Sequence, residues 1–533
     1  MYSLVEHRLN RLIESGYAPL LKQGRVGIEK ESLRVSQEGT LAMTPHPHVL
    51  GAALTHPNIT TDYSEAMLEF ITEPYEDIGM VLKRLRDIHQ FVHRQLHEEI
   101  LWATSMPCVL HGDNSIPIAR YGDSNLGMMK TVYRRGLGHR YGRPMQVIAG
   151  IHFNYSFSEA FWQAYQELEG DRGSRQEFRS AAYFALTRNL LRFGWIVPYL
   201  FGASPAVCKS FVGPVLHRLQ DLDENTYYDP YATSLRLGDI GYTNKREHET
   251  GIHANYDSLE TYIDTLTRAI ETPCKAYEKI GVEVNGRFEQ LNANILQIEN
   301  EYYSSVRLKQ PGHGLEKPVL ALRRRGVGYI ELRSLDVNIY DPLGIQEQQA
   351  YFLEAFMIFC LLQDSPQIEG AEHAANDRNL IETAHHGRRP GFALSRRGGE
   401  ISLKDWALEL IEAMEAVCEL LDGGEGGVYR RALEAQRNAV LDPDRTPSAK
   451  VLADMKARGE SFYDFSRYMS QEHHEYFCDL PVDEEVMNEF VRKAEKSHQQ
   501  QQEIEAQQQL PFGQFLDAYF NQDKQPESNR IGS

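Results

Sequence analysis

Residues 27–35 read GIEKESLRV, and the way this stretch folds decides the architecture. As a β-strand, whose side chains alternate between faces, it sends Glu29, Glu31 and Leu33 one way and Ile28, Lys30 and Ser32 the other. Two carboxylates at i and i+2 on a strand face lie about 6–7 Å apart. Such a pair is either a solvated face on which two glutamates meet water, or half of a site built around a cation. The stretch alone does not separate these readings; the neighbouring strands do.

MQVIAGIHFNYSF (145–157) alternates in the same way. Gln146, Ile148, Gly150, His152, Asn154 and Ser156 share one face, and Met145, Val147, Ala149, Ile151, Phe153 and Tyr155 share the other. The second is a core face. The first is a polar row in which Gly150 leaves space for something to approach. GVGYIELRSLDV (326–337) puts Tyr329, Glu331 and Arg333 on one face, and TTDYSEAMLEFIT (60–72) contributes Asp62, Glu65 and Glu69. Glu69 stands inside an otherwise apolar strand, where a carboxylate needs water or a cation.

Helical periodicity fills the intervals, as in DIGMVLKRLRDIHQFVHRQLHEEI (77–100) and RQEFRSAAYFALTRNLLRFG (175–194). From Pro342 onward the pattern is almost wholly helical. The apolar run FGWIVPYLFGASPAVC (193–208) reads as a buried strand or loop, too short and too interrupted by proline to span a bilayer. Thr446-Pro447-Ser448 reads as a helix start with Ser448 as its N-cap. Polar strands and helices that are not confined to crossovers predict an α+β fold. It has a largely antiparallel sheet, one face packed on helices and the other lining a polar site. One domain spans 1–520, with the sheet in about 1–340 and a helical part in 341–520, and 521–533 is a disordered tail.

The formal charge of −19 argues against non-specific nucleic-acid binding. The six cysteines (108, 208, 274, 360, 418 and 478) are widely spaced and form no Cys-x-x-Cys pair. They argue against a zinc ribbon, an Fe–S site or a dense disulfide scaffold, and suit a reducing cytoplasm. The N-terminal MYSLVEHRLNRLIESG is amphipathic and unlike a signal peptide.

Glu29, Glu31, Asp62, Glu69, His152 and Glu331 together make an oxygen-rich set with one imidazole, suited to Mg²⁺ or Mn²⁺. Arg333 completes a clamp for phosphate. Neither a G-x-x-x-x-G-K-[ST] loop nor a convincing G-x-G-x-x-G fingerprint is present, so any ATP is held by metals on a sheet. A metal-dependent hydrolase or a metal or nucleotide sensor also accommodates the acidic–His set.

Seven motifs resolve these alternatives by resemblance. GIEKESLRV, LTHPNITTDYSEAMLEFIT, SMPCVLHGD, YRRGLGHRYGRPMQVIAGIHFNYSF, YATSLRLGDIGYTN, LQIENEYYSSVR and YIELRSLDVN follow one another. This is the order found in bacterial glutamate–cysteine ligases (γ-glutamylcysteine synthetases) of the first type. The chain resembles that family from Ser3 to the helices near residue 495.

The resemblance implies a fold like the catalytic domain of glutamine synthetase: a curved antiparallel sheet with a polar concave face and surrounding helices. It implies ATP-dependent joining of L-glutamate to L-cysteine through γ-glutamyl phosphate. Residue by residue, it implies Mg²⁺ ligands at Glu29, Glu31, Asp62, Glu69, His152 and Glu331, and Arg333 facing the transferred phosphoryl group. Gln146 and Arg236 match glutamate-holding positions. Tyr63, Tyr133, Tyr242 and Tyr303 match an aromatic pocket for cysteine, and Asn154 and Arg333 a nucleotide contact. Glutathione as feedback inhibitor, a cytoplasmic monomer, and no nucleic-acid or membrane partner complete the expectation.

Overall fold

The structure, a computed structural model, describes residues 2–213, 217–241, 253–424 and 426–524. Its centre is a seven-stranded sheet in which every pairing is antiparallel: β1 (Arg25–Ser36), β2 (Ile59–Thr61), β3 (Met67–Ile71), β4 (Glu99–Leu101), β5 (Ile151–Ser156), β6 (Val306–Lys309) and β7 (Tyr329–Leu335). The spatial order is β6-β7-β5-β1-β3-β2, with β4 paired to the far end of β1. The α+β architecture and the antiparallel sheet expected from the sequence are both present.

Register builds the polar face. Glu29 is paired with His152 and Glu31 with Glu69. Glu331 is paired with Asn154 on one side and Arg307 on the other. Because side chains alternate, these pairings gather carboxylates from three strands, β1, β3 and β7, on one surface. The opposite surface carries Ile28, Phe70, Phe153, Ile330 and Leu332, all buried in the main apolar core. The β7–β5 register shifts between Leu332 and Leu335. This irregularity lets both leucines, three residues apart, face the core; Arg333 reaches the polar side by the alternation it shares with Glu331.

Helices cover the apolar surface. α1 (Ile78–Gln95) begins at Asp77, whose carboxylate accepts from the Met80 amide at 2.9 Å, a cap that satisfies an otherwise orphaned N–H. It buries Ile78, Val81, Leu85, Ile88 and Val92. α2 (Asn125–Tyr141) lies on the polar side, capped by Ser124. Near the C-terminus run α3 (Phe462–Asp479), α4 (Glu484–Ala506) and α5 (Phe512–Phe520). Among the described residues no helix is long and apolar enough to cross a membrane.

Several local expectations are corrected. Residues 145–150 are not strand: a 3₁₀ turn, Pro144–Val147, precedes β5. Pro144 supplies no N–H for a ladder and presets φ for a turn. The apolar run 193–208 forms a helix, Ile196–Phe201, and a short strand, Ala206–Cys208. A continuous apolar run has no periodicity to separate the two states. The helix at 447 starts two residues earlier than read, with Thr446 in place of Ser448 as N-cap and Pro447 in its first turn. A hairpin, Ala393–Arg396 with Gly399–Ser402, interrupts the helical part. Of the expected tail, Gln522–Lys524 forms a 3₁₀ turn, and 525–533 lie outside the described residues. Two of the six cysteines, Cys108 and Cys208, are joined in a disulfide.

Candidate active site

The polar face of the sheet is the floor of a cavity of about 490 Å³. Glu29, Glu31, Asp62, Glu69, His152, Glu331, Arg333, Gln146, Tyr63, Tyr133 and Tyr303 all line it. Eleven side chains read from the sequence therefore converge on one space.

At its centre, Oε2 of Glu29 meets Nδ1 of His152 at 2.9 Å, and Oε1 of Glu331 lies 3.6 Å from the same nitrogen. Ligand atoms of Glu29, His152 and Glu331 all lie within 4.8 Å of one another. Oε1 of Glu31 stands 3.9 Å from the other ring nitrogen, while its Oε2 accepts the Gly150 amide at 2.7 Å. Oε2 of Glu331 is buried with no hydrogen-bond partner among the described residues. An orphaned carboxylate oxygen beside an oxygen-rich cluster with one imidazole fits a hard divalent cation.

The charge states differ sharply across this small area. Burial works to raise Glu331, but Lys309, Arg333 and His152 together hold it well below the usual carboxylate range. Lys309 Nζ and Arg333 Nη1 approach its Oε1 at 3.5 and 3.3 Å. Burial likewise opposes ionisation of Glu29, and the contact with His152 overcomes it. Glu69 is pushed well above its ordinary value by burial and by Glu29, Asp62 and Glu31. Without a cation, this side of the floor holds more negative charge than its own counter-ions balance.

Two expected residues stand behind the wall. Asn154 donates to Oε1 of Glu29 at 3.0 Å and so fixes a carboxylate. Arg236 donates to the Arg333 carbonyl at 2.9 Å and faces Asp336 at 3.8 Å. The space at Gly150 serves Arg236: a Cβ there would lie 2.1 Å from its Nη2. Tyr242 lies outside the described residues.

Sequence reading missed four cations on the cavity wall: Lys130, Arg134, Arg307 and Lys309. Arg307 and Lys309 alternate on β6, a period-two signal present in VRLK. Lys130 and Arg134 sit at i and i+4 on α2, where they resemble an ordinary solvated pair until the helix is placed over the sheet. Lys130 is pushed down to about 8 by burial and by Arg134. Arg134 lies 3.7 Å from Asp62, and its guanidinium is 4.6 Å from the ring centre of Tyr121. At the far end of α2, the hydroxyl of Tyr63 fits against Gly138, where a Cβ would approach it to 2.5 Å.

The arrangement is suited to bringing anions together: carboxylates able to hold divalent cations on the floor, with five basic side chains around them. None of the cysteines lines the cavity.

Residues 9–383 match the sequence profile of a family described as glutamate-cysteine ligase. The chain is 48% identical over 520 residues to a glutamate–cysteine ligase of Pseudomonas paraeruginosa, covering 97% of this chain and 98% of the relative. It is 45% identical to one of Alcanivorax borkumensis, covering 97% and 99%. Among solved structures it is similar to a glutamate–cysteine ligase of Francisella tularensis crystallised in complex with AMP. There the TM-score is 0.88 at 36% identity, over 94% of this chain and 98% of the other. A bifunctional glutathione synthetase of Pasteurella multocida matches with a TM-score of 0.69 at 26% identity, over 89% of this chain and 55% of that one.

Proposed function

The chain belongs to the glutamate–cysteine ligase family, and from that premise we propose how its cavity carries out the family's reaction. The protein is an ATP-dependent carboxylate–amine ligase that joins the γ-carboxylate of L-glutamate to the amine of L-cysteine, giving γ-glutamylcysteine, ADP and phosphate. The observation that carries the site assignment is the meeting of the Glu29–His152–Glu331 trio with Arg333 in one cavity.

A carboxylate does not accept an amine directly, because it is resonance-stabilised and its oxygen is a poor leaving group. Transfer of the terminal phosphoryl group of ATP to the γ-carboxylate removes both obstacles. The problem left to the protein is electrostatic, since two anions have to meet. Arg333, on the polar face of β7 beside Glu331, offers its fork to the phosphoryl oxygens. Lys309, Arg307 and Lys130 add positive charge along the same wall. Glu29, His152 and Glu331 would hold one Mg²⁺, with Glu31, Asp62 and Glu69 available for further ions, and bound metal supplies charge neutralisation to the phosphates. Gln146, with Arg236 behind it, orients glutamate. Tyr63, Tyr133 and Tyr303 enclose the small side chain of cysteine. The amine then attacks the acyl phosphate, and no protein nucleophile takes part.

Glutathione carries the same γ-glutamylcysteine moiety and competes for the amino-acid end of the cavity as a feedback inhibitor. The enzyme acts as a single-domain monomer in the cytoplasm.

ADP release tests the reading. It should require glutamate, an acceptor amine and Mg²⁺ together. 2-Aminobutyrate, with methyl in place of thiol, should replace cysteine, and lysine should not. Release without an acceptor would indicate a hydrolase, and equal rates with lysine would indicate a ligase with a different acceptor.

A further inference from the structure

Arg236 reaches the sheet from outside it. It stands in the middle of a 3₁₀ turn, Leu235–Leu237, and is 2% exposed. Its guanidinium crosses to the end of β7, where Nη2 donates to the Arg333 carbonyl at 2.9 Å, and fills the space that Gly150 leaves. Burial raises Glu31 and the Tyr303 hydroxyl, and Arg236 is among the charges that oppose the rise in both. Those two residues line the cavity. A long side chain has rotamer freedom to lose on being fixed there. A buried guanidinium also needs an offset for its lost hydration that one carbonyl does not provide.

Asp336 supplies the offset. It follows the last residue of β7 and is 3% exposed. Its Oδ1 faces Nη1 of Arg236 at 3.8 Å and accepts the Ser234 hydroxyl at 2.8 Å. Its Oδ2 accepts the Ser204 hydroxyl at 2.5 Å and the Ala203 amide at 2.9 Å. Three donors converging on one carboxyl group match its ionised form, which only accepts. Burial works to raise Asp336, and Arg236 leads the groups that oppose it. The same serines hold the backbone beneath the arginine. Ser204 takes the Leu235 amide on its carbonyl at 2.7 Å and the Arg236 amide on its hydroxyl at 3.4 Å. Asp336 is tied to the turn through two hydroxyls and to the guanidinium through charge.

We propose that Asp336 is a positioning residue for glutamate: with Ser204 and Ser234 it holds the Arg236 guanidinium where a substrate carboxylate is received. This rests on the ligase reading and on Arg236 as a glutamate-holding residue. Neither Asp336 nor either serine lines the cavity, so their influence passes through Arg236. At 3.8 Å Asp336 offsets the charge without taking a hydrogen bond from Nη1. That spacing lets an arginine be buried and still bind an anion.

The test uses the full chain and compares Michaelis constants in a double-mutant cycle. Asp336→Asn keeps the shape and removes the charge. It should raise KM for glutamate by about 3- to 100-fold, leaving KM for ATP and for cysteine within about twofold. Ser234→Ala, which releases the oxygen facing Arg236, should show the same split at about 2- to 10-fold. It decides the matter should Asp336→Asn fail to fold. Arg236→Gln should raise KM for glutamate at least as much as Asp336→Asn, and combining the two should add no more than about a further twofold. An unchanged KM for glutamate in Asp336→Asn, an equal rise in all three constants, or a double variant in which the two effects multiply would overturn the inference. An Arg236→Gln variant with unchanged KM for glutamate would overturn it together with the assignment of Arg236. If the unaltered enzyme releases no ADP with glutamate and cysteine, the ligase reading itself is what fails.

Discussion

Glu29 and His152 stand directly opposite each other on neighbouring antiparallel strands, with Oε2 of the glutamate 2.9 Å from Nδ1 of the imidazole. Glu331 presents a second carboxylate oxygen to that nitrogen at 3.6 Å. One ring nitrogen carries at most one proton, so it cannot donate to both acceptors equally. A divalent cation held among the three would resolve that conflict. Glu29→Gln and Glu331→Gln each remove one charge and keep the shape. Each should raise the Mg²⁺ concentration for half-maximal activity by about 10- to 100-fold. Mg²⁺ should raise the melting temperature of the unaltered protein, through preferential binding to the folded state, and have little effect on either variant. Two variants with an unaltered metal response would refute this site.

Arg333 yields a separate prediction because it lies on the polar face of β7, 3.3 Å from the Glu331 carboxylate. Its guanidinium presents two parallel donors that an ammonium cannot reproduce. Arg333→Lys should therefore fail to rescue activity. Both Arg333→Lys and Arg333→Met should lower kcat by about 10²–10³-fold, with KM for cysteine little changed. A lysine variant near full activity would show that charge alone suffices.

Behind the sheet lies a buried basic layer. His89 and His93 on α1 and His473 on α3 face Lys30 of β1. His89 is 1% exposed, packs between Phe70 and Phe477, and neither of its ring nitrogens has a hydrogen-bond partner among the described residues. Burial first, then Lys30, pushes His89 well below its usual 6.5, and His473 falls to about 4 from the same causes. Unfolded, each imidazole takes up a proton near 6.5. Folded, it does not until far lower pH, so between pH 6.5 and 4 the unfolded chain binds more protons. Stability is then present above 6.5 and lost as pH falls, by about 1.4 kcal/mol per pH unit for each such group. Urea midpoints taken from pH 8 to pH 5 should decline steeply, and His89→Leu should flatten the decline by about one proton. An unchanged slope would remove His89 from the account.

The disulfide gives a stability prediction of another kind. Cys108 and Cys208 are both buried, and the bridge spans a sequence separation of 100. Closing so long a loop restricts the unfolded chain, and removing such a bridge costs about 2–5 kcal/mol. Cys108→Ala/Cys208→Ala should unfold at lower urea, and reductant should lower the midpoint of the unaltered protein toward it. Identical midpoints with and without reductant would mean that the bridge contributes nothing.

Faces were far more legible than pairings. Strict alternation placed Glu29 and Glu31 on one side of β1 and Ile28 on the other, as observed. That Glu31 would meet Glu69 and Glu29 would meet His152 is a matter of long-range register, which periodicity within one strand does not contain. Gln146 was legible as part of the polar row although its local structure was not: it lines the cavity from a 3₁₀ turn that Pro144 starts. Lys130 and Tyr519 escaped notice because their meaning arises only from packing. One is an unremarkable helix cation, and the other an apolar-face residue of a short terminal helix. Both line the site because α2 lies over the sheet and α5 closes one end of it.

The remaining prediction concerns the intermediate. If the γ-carboxylate attacks the terminal phosphorus of ATP, one of its oxygens becomes the bridge of an acyl phosphate. That oxygen must leave with phosphate when the amine of cysteine displaces it. Glutamate carrying ¹⁸O in its γ-carboxylate should therefore deliver one labelled oxygen to each phosphate formed. Hydrolysis of ATP by water, uncoupled from ligation, leaves phosphate unlabelled from this source, as does any route in which the amine attacks an unactivated carboxylate. Arg333 and the cations of β6 line the cavity together, and no cysteine lines it to carry the glutamyl group instead. The arrangement therefore suits an acyl phosphate intermediate. Mass analysis of phosphate released in one turnover, alongside quantified dipeptide, decides the point. Stoichiometric dipeptide with unlabelled phosphate would exclude the intermediate, whereas one label per dipeptide means that the carboxylate was the nucleophile toward ATP.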